Sequence, residues 1–164
     1  MTTRAPALLP LQQPLALVLA GGGALGAWQS GIVYALANKY GLSFQNIVGI
    51  SSGSLNGVAY FVDRMDELIT RWQNVDKARI LQFRPRLAPF SLFSDGPIWA
   101  SLEYLKDEDR AQKRAQCHFT VVSVCRSERR HIYAHFSPEK NVWDGPLISH
   151  IAASCAIPMI FPPV

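Results

Sequence analysis

The sequence predicts an α/β domain built on a mainly parallel sheet, and three segments carry that prediction. Leu15-Ala16-Leu17-Val18-Leu19-Ala20 is a short apolar run of the kind a strand buried on both faces shows. Glycine-dense Gly21-Gly22-Gly23-Ala24-Leu25-Gly26 follows it, and then a helical pattern with Leu25, Trp28, Ile32 and Leu36 on one stripe, the expected buried face. A second apolar run, Ile47-Val48, meets Gly49-Ile50-Ser51-Ser52-Gly53 and continues into Ser54-Leu55-Asn56-Gly57-Val58-Ala59-Tyr60-Phe61, which reads as strand, sharp turn, helix. The third run, His118-Phe119-Thr120-Val121-Val122-Ser123-Val124, is rich in β-branched residues and reads as a buried strand.

Gly-x-Ser-x-Gly at a strand-to-helix turn holds the Ser51 hydroxyl up at the end of the sheet, and small Gly49 and Gly53 leave room for a substrate. Backbone donors opening the next helix favour negative charge developing beside that serine. Upstream, Gly21, Gly23 and Gly26 satisfy Gly-x-Gly-x-x-Gly, which admits several uses. A dinucleotide site wants an acidic residue about 20 positions on, at the end of the second strand. Gly41, Leu42, Ser43, Phe44 and Gln45 stand there instead. A phosphate-binding P-loop wants Lys and then Ser or Thr after its last glycine, but Ala27 and Trp28 follow Gly26. An oxyanion hole needs only successive unobstructed N–H groups, here from Gly21, Gly22, Gly23, Ala24 and Gly26. Glycines that merely let the helix pack close to the strand are the bland alternative.

The order of the two elements, glycine loop and then serine turn, resembles the patatin-like phospholipases. Their opening Gly-Gly-Gly-x-(Arg/Lys/Leu)-Gly is met by Gly21 to Gly26, with Leu25 where many members carry a base, and their Gly-x-Ser-x-Gly by Gly49 to Gly53. A third stretch, Ala152-Ala153-Ser154-Cys155-Ala156-Ile157-Pro158-Met159-Ile160-Phe161-Pro162-Pro163-Val164, is similar to the family's Ala-Ser-x-Ala-Ile-Pro-x-x-Phe-Pro-Pro segment. The resemblance implies a three-layer α/β fold in residues 15–164, C-terminally incomplete. It implies a lipid acyl hydrolase in which Ser51 attacks a phospholipid or other fatty-acyl ester and loop N–H groups around Gly22 and Gly23 hold the oxyanion. It implies no metal and no cofactor.

One departure bears on the chemistry. The family uses a Ser–Asp dyad whose aspartate opens an Asp-Gly-Gly or Asp-Gly-Ala motif beyond the Phe-Pro-Pro segment, and this sequence runs to Val164. Asp95-Gly96-Pro97 and Asp144-Gly145-Pro146 share two letters with that motif but precede Phe161. Each reads as a helix start, with aspartate as N-cap and proline in the first turn. A serine hydroxyl without a base is a weak nucleophile, so a catalytically inactive, lipid-binding relative is the rival reading. A nucleotide-binding module is the second rival. Asp144 with His150 is a further, weaker candidate for the base.

Composition bounds the rest. With 164 residues, 49% hydrophobic and 17% charged, the chain is apolar but long enough for one core. The net charge of +4 permits peripheral contact with anionic lipid, and no nucleic-acid motif accompanies it. Residues 1–14 read as a flexible leader rather than a secretion signal, because Pro10, Gln12, Gln13 and Pro14 interrupt the apolar stretch. No apolar run reaches the roughly 18 residues needed to span a bilayer, and the expected setting is cytoplasmic.

Cys117 and Cys125 bracket a strand about 26 Å long and cannot pair with each other. With Cys155 they read as reduced thiols of an intracellular protein. His131-Ile132-Tyr133-Ala134-His135-Phe136 alternates like an edge strand, its two histidines about 13 Å apart, too far to share a zinc. Residues 65–75 read as a helix with Leu68, Ile69 and Trp72 inward. Residues 81–93, where Phe, Arg and Pro mix without period, read as a loop with partly buried aromatics; a membrane-touching or acyl-lining lid is the functional alternative.

Overall fold

Six strands and six helices are built from residues 11–75 and 81–164, which are the residues that the computed structural model describes. Residues 1–10, most of the segment expected as a flexible leader, lie outside them. The main sheet has the order β1-β2-β5-β6, with β1 (Ala16–Leu19), β2 (Asn46–Ile50), β5 (His118–Cys125) and β6 (Arg130–Phe136). The first three strands run parallel and β6 returns antiparallel as an edge. The mainly parallel sheet expected from the sequence is therefore present.

Register sorts the sheet into two unlike faces, because neighbouring side chains along a strand point opposite ways. Leu17, Ile47, Phe119 and Phe136 lie in one row, and Leu19, Gly49, Val121 and Ala134 in the next. Of these eight only Leu17 is not fully buried. Against them packs α2 (Ser52–Phe61). Gly57 lets that helix approach so closely that a Cβ there would stand 2.7 Å from the Phe119 ring. Phe61, Phe119 and Phe136 form an aromatic core with Trp143, ring centroids 5.1–6.5 Å apart.

The other face is only partly covered. Val18 is 69% exposed, Val124 62% and Tyr133 57%. β1 thus differs from the doubly buried strand its composition suggests. Among the described residues β1 is paired on one side only, and apolar content alone does not report position in the sheet.

The helix after the glycine loop also departs from expectation. A 3₁₀ turn, Gly23–Leu25, leads into α1 (Gly26–Tyr34), which continues as a π-helical turn over Ala35–Lys39. Its buried residues are Gly26, Ser30 and Val33, whereas Leu25 and Trp28 are each 73% exposed. The reason is close approach. A Cβ on Gly26 would lie 2.9 Å from both Ser52 Cβ and the Trp72 ring. Asn56 Nδ2 donates to Gly26 O and to Gln29 Oε1, while its Oδ1 accepts from Trp72 Nε1. Small and polar residues make this helix contact, and they outrank the apolar stripe.

α3 (Met65–Gln73) matches its expected position. Residues 81–93 do not form the expected loop. They make an antiparallel hairpin, β3 (Phe83–Leu87) with β4 (Phe90–Phe93), carrying an irregularity between Phe83 and Arg86. All of β3 is exposed, so burial imposes no alternation, and the irregularity erases what period remains.

α4 (Gly96–Ser101) begins after Asp95 with proline in its first turn, as expected, although the Asp95 carboxylate accepts from Trp99 Nε1 and not from the helix amides. α5 (Glu108–Arg114) precedes β5, and α6 (Leu147–Cys155) packs on β5 and α2. Asp144 is not the N-cap of α6. Its Oδ2 accepts from the His135 N–H, and Glu108 of α5 accepts from the Leu147 N–H in its place.

Candidate functional site

β1 and β2 are parallel neighbours paired Leu19↔Gly49, so the segments that follow them leave the same end of the sheet side by side. One is the glycine loop and the other is the turn at Ser51. Ser51 sits between β2 and α2 with φ 54° and ψ −124°, a conformation an L-residue holds at a cost of about 1–3 kcal/mol. A Cβ on Gly21 would lie 3.1 Å from Ser51 Cβ, and Gly23 has φ +55° with open space around it. The two glycines of the serine motif are each required by close approach. A Cβ on Gly49 would stand 2.6 Å from Ser54 Cα, and one on Gly53 only 2.1 Å from Leu19 O.

Hydrogen bonds tie the two segments together. Gly22 N–H donates to Ser52 Oγ at 3.1 Å. Ser54 donates to Ser51 O from both its backbone N–H and its hydroxyl, at 2.8 and 2.6 Å. From the far end of the chain, Ser154 Oγ accepts the Ser51 N–H at 2.8 Å and donates to Val122 O at 2.6 Å. Ser154 therefore fixes the turn against β5.

Of the expected oxyanion residues, Gly21 lies against Ser51 and Gly22 and Gly26 against Ser52, while Gly23 and Ala24 follow in the same loop. Sequence reasoning missed the supports Ser52, Ser154 and Asn56. Ser52 and Asn56 are buried polar residues, and Ser154 is half-buried. The available signal was a density of small polar residues in an otherwise apolar segment. Ser154→Ala is expected to cost about 1–3 kcal/mol, because it strips the Ser51 N–H of its acceptor; Ser154→Thr keeps that acceptor and should restore most of the loss in urea denaturation.

Beside the turn runs a groove of about 1070 Å³ on the open face of the sheet, lined by Ile50, Val122, Tyr133 and Ser154 among others. Cys125 lies on its wall. Hydrogen bonds from the Ser127 side chain and the Glu128 backbone lower the Cys125 thiol pKa, while burial pushes Cys117 up to about 12 and Cys155 to about 11. Iodoacetamide is accordingly expected to alkylate Cys125 well before the other two, as peptide mapping over time will show. All three cysteines are free.

Among the described residues, Ser51 Oγ makes no hydrogen bond to a carboxylate or an imidazole. Asp95 is engaged by Trp99, Asp144 by His135, and His150 packs on the Phe136 ring. His131 and His135 lie on the open face, with His135 Nδ1 3.1 Å from Thr120 Oγ1. Among the described residues no group of three or more His, Cys, Asp or Glu could hold a metal, and no helix is long and apolar enough to cross a membrane. β2 ends on Ile50, and Ser51 rather than an acidic residue follows it.

A serine raised at the junction of a parallel strand and a helix, beside a glycine loop from the neighbouring strand, defines an α/β protein with its candidate site at the sheet end. The chain belongs to the patatin-like phospholipase family, whose model matches residues 17–164. That is a family of lipid acyl hydrolases acting on lipid esters. No curated protein matches the chain.

Proposed function

We propose that this chain is a serine-dependent lipid acyl hydrolase with Ser51 as nucleophile. The observation that carries the reading is the Ser51 turn itself, strained, glycine-flanked and adjoining the glycine loop. Ser51 Oγ attacks the carbonyl carbon of a phospholipid or other fatty-acyl ester while a base takes its proton. The tetrahedral oxyanion then collapses to an acyl-enzyme, expelling the alcohol with a proton, and water releases the fatty acid by the reverse sequence. Gly22 N–H is already used toward Ser52, which leaves Gly21, Gly23 and Ala24 among the loop's donors to the oxyanion. By resemblance to the family, the base would be a dyad aspartate beyond the Phe161-Pro162-Pro163 segment and outside residues 1–164. The reading requires no metal and no cofactor.

The absence of a hydrogen-bonded base at Ser51 among the described residues favours a second reading, a patatin-like protein that binds lipid without turnover. A fluorophosphonate separates the two. Intact mass and peptide mapping should find one adduct on Ser51 if the serine is activated, together with hydrolysis of a short-chain ester. An unlabelled Ser51 in the folded protein would move the assignment to binding.

A further inference from the structure

Among the described residues the most exposed large hydrophobic side chain, Leu87, lies on the β3–β4 hairpin. Leu87 is 94% exposed, Phe83 68% and Phe90 48%. Residues 81–94 contain Arg84 and Arg86 but no acidic residue, and neither arginine has an ion-pair partner among the described residues. The hairpin is nonetheless firmly placed. Ser91 is buried and bridges to Met159, Leu92 N–H donates to Met159 O at 3.1 Å, and Phe93 N–H donates to Ile160 O at 2.9 Å.

Pro89 and Phe90 of this hairpin form one rim of the groove beside Ser51, and Arg126 and Ser127 of the β5–β6 turn form another. In that turn Glu128 is paired with Arg130, leaving Arg126 and Arg129 without a carboxylate among the described residues. Arg126, with no carboxylate partner among the described residues, thus stands on one rim of an apolar groove, and Arg84 and Arg86 belong to the hairpin whose Pro89 and Phe90 form the other.

We infer that these two elements form a docking face for an anionic lipid surface. Phe83, Leu87 and Phe90 would enter the boundary between headgroups and acyl chains, and the arginines would meet lipid phosphates and carboxylates. The groove between them then leads an acyl chain toward the Ser51 turn. The inference rests on the hydrolase reading only for that last step. Charge decides against a second copy of this chain as the occupant: a two-fold contact through this patch would set its unpaired arginines against their own counterparts.

The test uses the full chain carrying Ser51→Ala, so that binding is measured apart from turnover. Sedimentation with vesicles of phosphatidylcholine alone is compared with vesicles that also contain phosphatidylserine. Binding should require phosphatidylserine and weaken as salt rises. Arg84→Gln with Arg86→Gln should lower affinity about 30-fold, from the contribution of two basic residues at an anionic surface. Leu87→Asp should abolish it. Circular dichroism checks that the variants are folded, and the salt series on the Ser51→Ala chain stands as a test even if they are not.

Equal binding to both vesicle types would overturn the inference, as would salt-insensitive binding or a folded double variant of unchanged affinity. So would a concentration-dependent dimer that Leu87→Asp dissolves, which would assign the face to a second copy. Failure of Ser51 to take a fluorophosphonate would overturn the hydrolase reading and leave the vesicle result standing.

Discussion

Ser51→Ala is expected to eliminate fluorophosphonate labelling and ester hydrolysis together, with little change in stability. The hydroxyl is the proposed attacking group, so its removal leaves nothing to bond to phosphorus or carbon. Ser51 Oγ makes no hydrogen bond among the described residues; the supports of the turn are its backbone N–H and C=O, held by Ser154 and Ser54. Alanine retains both, and unfolding in urea should shift by less than about 0.5 kcal/mol. Ser51→Gly sharpens the test. Glycine accepts φ 54° without a steric penalty, so this variant should lose labelling and gain up to about 1 kcal/mol, the strain relief less the extra entropy of an unfolded glycine. Labelling that persists in either variant would mean that another residue is the nucleophile.

Gly53→Ala should be the most damaging single methyl group in the protein. Its Cβ would stand 2.1 Å from Leu19 O, 2.6 Å from Leu19 C and 2.8 Å from Ala20 O, all backbone atoms of the segment entering the glycine loop. No rotamer change relieves contact with backbone, so β1 and α2 must separate. We expect a loss of roughly 4 kcal/mol or more, at the upper extreme for single substitutions. Any protein that still folds should label slowly, because the displaced segment carries Gly21, Gly22 and Gly23 away from Ser51. A urea midpoint close to that of the unmodified protein would show that the two elements are not in the contact described.

Much of this arrangement was legible in the chain because its signals are local. Gly49, Ser51 and Gly53 mark a turn whose sterics each residue decides within a few positions, and that turn lies where it was expected. The run from His118 to Val124 announces a strand through its own β-branched side chains. The aspartates were half legible: Asp95 precedes a helix as its neighbours suggest, but Asp144 is claimed by the His135 N–H, a partner on another strand.

The hairpin at residues 83–93 escaped notice because a fully exposed strand carries no hydrophobic period. α1 misled for the opposite reason. Leu25, Trp28 and Ile32 make a convincing stripe, yet Gly26, Ser30 and Val33 face inward, because α2 and Trp72 approach too closely for anything larger than glycine at position 26.

By itself, then, the sequence determined the order of strand, glycine loop, helix, strand and serine turn, since these follow from covalent neighbours and backbone sterics. Which surfaces meet was set by packing between segments far apart in the chain. That packing brought Ser154 across 103 positions to hold the Ser51 N–H and turned the apolar stripe of α1 outward. It also left one face of the sheet open as a groove beside the serine. Those outcomes depend on the fit between distant segments, and fit is a property of volumes and distances that no single stretch of sequence contains.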